Sequence, residues 1–180
     1  HVIANIAVPT TLALVAQTRD KLLAAAKPFD PLRVEGEQAN INLLRERTQG
    51  QNNEQRLVAR VTHLREILAW ADELKPPENA EENPAWHTLV EQRDLAHKIL
   101  ADQEHPEAGD RTLSVVDPEA RRGKHGQWYD GYVVDVMADV DSELITEINV
   151  LRAGGDEAVD AVQLVRQEEE AHGNDIAALS

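Results

Sequence analysis

The 180-residue chain carries 18 lysine and arginine residues against 33 aspartate and glutamate residues, so its net charge is -15. This acidity argues against the chain acting, taken alone, as a general nucleic-acid-binding surface, because neutralising phosphates requires clustered basic side chains. The sequence has no cysteine, which excludes a disulfide scaffold and every thiolate zinc site. No apolar run approaches the roughly 20 residues that a membrane span requires. The composition therefore predicts a globular, soluble, cytoplasmic protein without a membrane partner.

The two ends of the chain have the pattern of interrupted strands. Residues 1–8 are compatible with a β-strand from the first residue onward, and residues 175–180 begin a new apolar run that nothing closes. We therefore expect the sequence to be a piece of a longer protein whose sheet continues on both sides.

A long helical block lies between these ends. Apolar residues at helical spacing predict four helices, which run from the caps at Thr10 and Thr11 to about Lys27, from Glu37 to Arg47, from Glu54 to Lys75 and from Pro84 to about Gln103. Pro28 stops the first helix and Pro31 prolongs the break. We therefore expect an all-α insertion at residues 10–109, enclosed by strand-rich flanks at residues 1–9 and 110–180.

The region after the helices is rich in β-forming residues. Three strands are predicted, at residues 113–117, 131–140 and 144–151, and a turn at residues 139–143 joins the last two. In the second strand one face is apolar, through Tyr132, Val134 and Val136 among others. Asp156 has the chemistry of a helix N-cap, and the helix that it begins carries Val159, Val162 and Val165 on one stripe and ends at His172 and Gly173.

Six aspartates crowd the predicted strand region, namely Asp117, Asp130, Asp135, Asp139, Asp141 and Asp156. Divalent metals that assist phosphoryl transfer are held by carboxylates on neighbouring strands. Asp117 ends a predicted strand, so it is the candidate catalytic and metal-binding residue of this chain. The competing interpretation is a solvated acid in an acidic protein.

The only dense basic cluster comprises Arg121, Arg122, Lys124 and His125. Glycines interleave these residues, and Trp128 and Tyr129 follow them. The pattern allows two interpretations, which are contact with a DNA phosphate backbone and a flexible basic loop that pairs with the acidic surface.

The histidines of the helical block lack the spacing of a ligand set, so we interpret His63, His87, His97 and His105 as surface histidines or core histidines with a partner. A weaker alternative is a metal-binding protein in which His63, His87 and His97 converge.

Several blocks of sequence occur in a fixed order. They are Ser114 to Arg121, Gly131–Tyr132, Asp139 to Thr146 and Ala153 to Glu157, accompanied by His1 to Asn5, Val8 to Thr11 and Glu169 to Asp175. Together these blocks closely resemble the DDE transposases of bacterial insertion sequences, and specifically the subgroup with a long helical insert. The resemblance spans nearly the whole chain.

The resemblance implies an α/β fold with a ribonuclease H-like mixed sheet that the all-α insertion interrupts. The strands would lie near residues 1–8, 113–117, 131–140, 144–151 and 175–180. In such enzymes three carboxylates bind two Mg²⁺ (or Mn²⁺) ions and promote DNA cleavage and strand transfer, a polynucleotidyl transferase reaction. By this comparison the first aspartate precedes His1 and the second follows Ser180, with a glutamate farther downstream. This segment would therefore lack the complete triad and serve as its scaffold.

The same resemblance implies partners and a location. The partners would be the DNA of the element's ends and of the target, together with further copies of the transposase during transposition. The protein would act in the bacterial cytoplasm, at the nucleoid. The alternative function is a non-catalytic helical interaction module on a degenerate transposase remnant.

Overall fold

The computed structural model describes residues 2–106, 109–138, 145–153 and 157–173. The fold is mixed α/β, with five α-helices and four antiparallel strands in these residues. Two compact units are present. The helical unit comprises Pro9–Pro118, and the sheet unit comprises the described residues before Pro9 and after Pro118.

The helical unit contains four α-helices and a short 3-10 helix. They are α1 (Thr11–Ala26), α2 (Pro31–Arg47), α3 (Asn53–Glu73), the 3-10 helix Ala80–Glu82, and α4 (Pro84–Glu104). The predicted ends of α1, α3 and α4 agree with these bounds to within two residues. Local chemistry accounts for the agreement, because the side chains of Thr10, Asn52 and Asn83 each accept hydrogen bonds from the first-turn amides of the helix that follows.

The prediction for α2 was wrong at its start. The helix begins at Pro31 rather than near Glu37. Asp30 is the N-cap, and its carboxylate accepts a hydrogen bond of 3.0 Å from the Arg33 amide. Proline suits the first helical position, because its missing N–H would have no helical partner there. Pro31 therefore opens the helix instead of prolonging the break.

The core of the helical unit is aliphatic. The side chains of Leu22, Leu64, Ile67 and Leu89 are fully buried where α1, α3 and α4 pack together. Phe29 meets Trp86 edge to face, with ring centroids 5.3 Å apart. Helix α3 packs on this core through buried residues at helical spacing, which are Val61, Leu64, Leu68 and Ala71. No helix in the described residues is both long and apolar enough to cross a lipid bilayer.

The sheet unit is organised around one long strand. Its strands are β1 (Val2–Asn5), β2 (Arg121–His125), β3 (Gln127–Ala138) and β4 (Ile145–Arg152), and β3 pairs antiparallel with each of the others. Because β1 and β4 both pair with residues 132–134, they lie along opposite edges of β3. Helix α5 (Glu157–His172) contacts β4.

Several strand predictions require correction. The strand predicted at residues 131–140 begins at Gln127, and the four described strands are antiparallel, so a ribonuclease H-like mixed sheet is not confirmed. The strand at residues 144–151 is confirmed as β4. The turn at residues 139–143, the cap at Asp156 and the strand at residues 175–180 lie outside the described residues.

The segment predicted as a strand at residues 113–117 is irregular. The Ser114 hydroxyl oxygen accepts hydrogen bonds from the amides of Val116 (3.1 Å) and Asp117 (3.3 Å). Such a local turn competes with a β-ladder for the same backbone groups. The Val115 carbonyl instead accepts a hydrogen bond of 2.5 Å from the Lys21 ammonium group. Side chains thus make the backbone hydrogen bonds that a neighbouring strand would otherwise make.

The burial of β3 and α5 also differs from the prediction. Val133 is buried, with Tyr129, Leu151 and Ala153 in the same cluster. On the face predicted to be buried, Val134 and Val136 are only half-buried. Val162, placed on the apolar stripe of α5, is 53% exposed. The end of α5 is confirmed, since Gly173 has a φ of 66° and its amide donates to the Glu169 carbonyl.

Candidate functional site

The predicted basic loop is in fact the first arm of a β-hairpin. Residues Arg121–His125 form β2 and pair with residues 127–131 of β3. Gly126 makes the tight turn with a φ of 66°, a conformation that glycine adopts at low cost. Gly123 lies opposite Tyr129, and a Cβ atom on Gly123 would come within 2.5 Å of the Tyr129 ring. The two glycines therefore serve a turn and a close contact, rather than a flexible loop.

Arg122 is bound to a carboxylate on the neighbouring strand. Arg122 and Asp130 are directly opposite in the register, and Nε and one terminal nitrogen of Arg122 donate to the two Asp130 oxygens at 2.7 and 2.9 Å. The hydrogen bond from Arg122 holds the pKa of the Asp130 carboxyl below its ordinary value. The same pair raises the pKa of the Arg122 guanidinium. The charge of Arg122 is therefore largely neutralised within the hairpin.

We expect the Arg122–Asp130 pair to contribute about 1 kcal/mol to stability, because the guanidinium is more than half exposed and exposed pairs are weak. The measurement is a double-mutant cycle with Arg122→Ala and Asp130→Ala in urea denaturation, at low and at high salt. The coupling energy should fall as salt rises. A coupling energy of zero at low salt would contradict this expectation.

Lys124 lies in a different environment. Its ammonium nitrogen is 5.6 Å from the centre of the Trp128 ring, and Trp128 is 69% exposed. No ion pair of Lys124 is present within the described residues. A cation beside an exposed aromatic face can bind a phosphate and stack a base at the same time. Lys124 and Trp128 are therefore the most suitable pair in the hairpin for contact with nucleic acid.

The two other members of the basic cluster are Arg121 and His125. Arg121 is half-buried and donates to the carbonyl of Ala120 at 2.9 Å. His125 belongs to β2, but its side chain lies outside the described structure.

The structure removes the geometric reason for choosing Asp117. Asp117 ends no strand, because residues 115–117 form a bend. In the described portions of the chain, no group of three or more histidine, aspartate or glutamate side chains could hold a metal ion. A catalytic or metal-binding role for Asp117 remains a prediction without a cluster to support it.

His63, His87 and His97 form no metal-binding group in the residues described, so the metal-binding alternative has no support. His63 is 8% exposed, and its Nε2 lies 2.9 Å from Oε2 of Glu37. His97 lies at the surface with Nε2 2.9 Å from Oδ2 of Asp72. Each of these two histidines thus has a carboxylate partner.

Sequence reasoning missed the buried carboxylate of Glu37. This side chain accepts a hydrogen bond from Asn40, forms an ion pair with the Arg33 guanidinium and lies against His63. Burial alone would raise the pKa of the Glu37 carboxyl, but these partners hold it below its ordinary value. A signal was present in the sequence, because Glu37 occupies the same helical stripe as the buried residues Val34 and Ile41.

Comparisons of the chain with protein-family models, with curated proteins and with solved structures find no match.

Proposed function

We propose that this chain is the scaffold segment of a DNA transposase with a ribonuclease H-like catalytic domain, and that its helical unit is the insertion. One observation carries the proposal. Strand β1 precedes the helical unit and β2 to β4 follow it, yet β1 pairs with residues 131–134 of β3. The chain thus leaves a sheet, forms about a hundred residues of helical structure and returns to pair with the same sheet. This is the topology that an insertion requires.

The surface of the sheet supports a larger catalytic domain. On one face of β4, Ile148 is 52% and Val150 is 59% exposed, and their partners Val136 and Val134 on β3 are half-buried. An exposed apolar face of a sheet is a surface that another layer of a larger domain can cover. We propose that residues of the same catalytic domain beyond this segment cover this apolar face.

In this proposal the described residues have a positioning role and a DNA-binding role. They contain no group that could hold Mg²⁺ or Mn²⁺, so no metal-dependent step is assigned to them. The metal-binding carboxylates would be those before His1 and after Ser180. The hairpin would present Lys124 and Trp128 to DNA.

The experiment that tests the proposal uses the protein extended at both ends and DNA that carries the element's termini. Mg²⁺-dependent cleavage should be abolished when either flanking aspartate is changed to alanine. The control is Asp94→Ala, which removes an exposed carboxylate of α4 and should leave cleavage unchanged. Flanking sequence without aspartates, or cleavage that survives their loss, would overturn the proposal and favour the non-catalytic interaction module.

DNA binding should depend on Lys124 more than on Arg122. We expect Lys124→Ala to weaken binding of the extended protein to terminal DNA about 5-fold, and to reduce the salt dependence by about one charge. Arg122→Ala should have a smaller effect, since Asp130 already neutralises this guanidinium. Fluorescence anisotropy at two salt concentrations measures both the affinity for DNA and its salt dependence. An equal loss of affinity in Lys124→Ala and Arg122→Ala would contradict the assignment of Lys124 as the stronger DNA contact.

A further inference from the structure

The helical unit contains a cleft that is lined by arginines from three helices. Arg19 of α1, Arg45 of α2, and Arg56 and Arg60 of α3 surround a volume of about 280 Å³. No aspartate or glutamate is among the described residues that line the cleft. This is unexpected in a chain with 33 acidic residues and 18 basic ones. The cleft is therefore a local concentration of positive charge in an acidic protein.

Most of this charge has no carboxylate partner. Arg19 binds Oδ1 of Asp20 through two nitrogens, at 3.0 and 2.7 Å. Arg60 donates to the carbonyl of Leu12 at 2.7 Å and forms no ion pair within the described residues. The side chains of Arg45 and Arg56 make no hydrogen bond or ion pair within those residues. Three guanidinium groups thus line the cleft without an ion-pair partner in the part of the chain that the structure describes.

Mutual repulsion among these groups is visible at Arg60. Burial lowers the pKa of its guanidinium, and the charges of Arg56, Arg19 and Arg45 lower it further, against a smaller opposing effect of Asp20. Like charges held close together destabilise a fold unless an anion offsets them. An anion in this cleft would relieve the repulsion and accept hydrogen bonds from donors that are already in place.

We propose that the arginine cleft binds a phosphate group, with Arg45 and Arg56 as its direct contacts and Arg60 contributing positive charge behind them. Arginine suits this ligand, because its planar fork can donate two parallel hydrogen bonds to phosphate oxygens. The phosphate belongs either to a nucleic-acid backbone or to a small phosphorylated molecule. This inference does not depend on the proposed transposase function.

The test uses the 180-residue chain and the double variant Arg45→Gln/Arg56→Gln. Arg45 is exposed and Arg56 half-exposed, so the variant should fold, and circular dichroism checks that it does. The matched control is Arg65→Gln, which removes an arginine from the same helix α3 but one that is paired with Glu104 outside the cleft. Calorimetric titration with inorganic phosphate and with pyrophosphate measures affinity.

We expect both anions to bind the wild type and Arg65→Gln equally, and to bind the double variant at least 10-fold more weakly. No binding to the wild type, or an equal loss in Arg65→Gln and the double variant, would overturn the proposal. Competition then identifies the source of the phosphate. Displacement of pyrophosphate by duplex DNA would show that the phosphate belongs to a nucleic-acid backbone. Displacement by ADP without displacement by DNA would show that it belongs to a small phosphorylated ligand.

Discussion

Replacing Gly131 by alanine is expected to destabilise the pairing of β1 with β3 by about 4 kcal/mol. Gly131 has a φ of 147°, a conformation that residues with a side chain rarely adopt. A Cβ atom at this position would also lie 2.0 Å from the carbonyl oxygen of Ala4 and 3.3 Å from Cα of Asn5. Since the nearest atoms are backbone atoms of β1, a change of side-chain rotamer cannot relieve the clash. The strand must therefore shift or detach.

Hydrogen–deuterium exchange resolved by segment measures this effect, because local opening is read where it occurs. The amides of β1 and of residues 131–134 should lose protection in Gly131→Ala. The matched control is Gly126→Ala, where φ is also positive but nothing lies within 4 Å, so only a strain of about 1 kcal/mol is expected. Equal effects in the two variants would contradict the β1–β3 register and, with it, the observation that carries the proposed function.

Replacing Glu37 by alanine is expected to lower the free energy of unfolding of the helical unit by about 3 kcal/mol at pH 7. Glu37 is 2% exposed, and its loss leaves both ring nitrogens of the buried His63 without a partner in the described residues. Helix α2 would suffer most, since its buried apolar residues are only Val34 and Ile41. Urea denaturation followed by tryptophan fluorescence reports on this, as Trp86 lies in the core.

The control for this change is Glu35→Ala, which removes an exposed carboxylate from the same helix and should alter stability by less than about 0.5 kcal/mol. The loss in Glu37→Ala should also depend on pH. Because the pKa of the Glu37 carboxyl is lower in the folded state than its ordinary value, its contribution is complete above that ordinary value and is lost as pH falls through the folded pKa. The difference between wild type and Glu37→Ala should therefore shrink as pH falls below the ordinary pKa of a glutamate. A difference that is constant with pH would contradict an ionised Glu37.

The helices could be predicted from the sequence because their signals are local. At the start of α3, for example, the Asn52 side chain accepts from the Gln55 amide while the Gln55 side chain accepts from the Asn52 amide. This capping box spans four residues and needs no other part of the chain. The misplaced start of α2 shows the limit of the approach, because a proline can break a helix or begin one, depending on the residue before it.

The strands and the candidate site could be predicted only in part. The sequence pattern singled out the basic cluster as a candidate, but its glycines were interpreted as part of a loop. A glycine in a strand is favoured when a neighbouring side chain approaches closely, and that neighbour, Tyr129, is identified only by the register. The segment at residues 113–117 has the composition of a strand, yet Ser114 and Lys21 satisfy its backbone groups instead.

The sequence by itself determined the charge of the chain, the capped starts of α1, α3 and α4, and the division into a helical block and strand-rich flanks, because these depend on composition and on contacts within a few residues. Only the tertiary structure decided which face of β3 is buried and that β1 pairs with β3. It also decided that Asp130 forms an ion pair with Arg122, and that four arginines from three helices line one cleft. These features depend on strand register and helix packing between residues far apart in sequence, which local patterns do not encode.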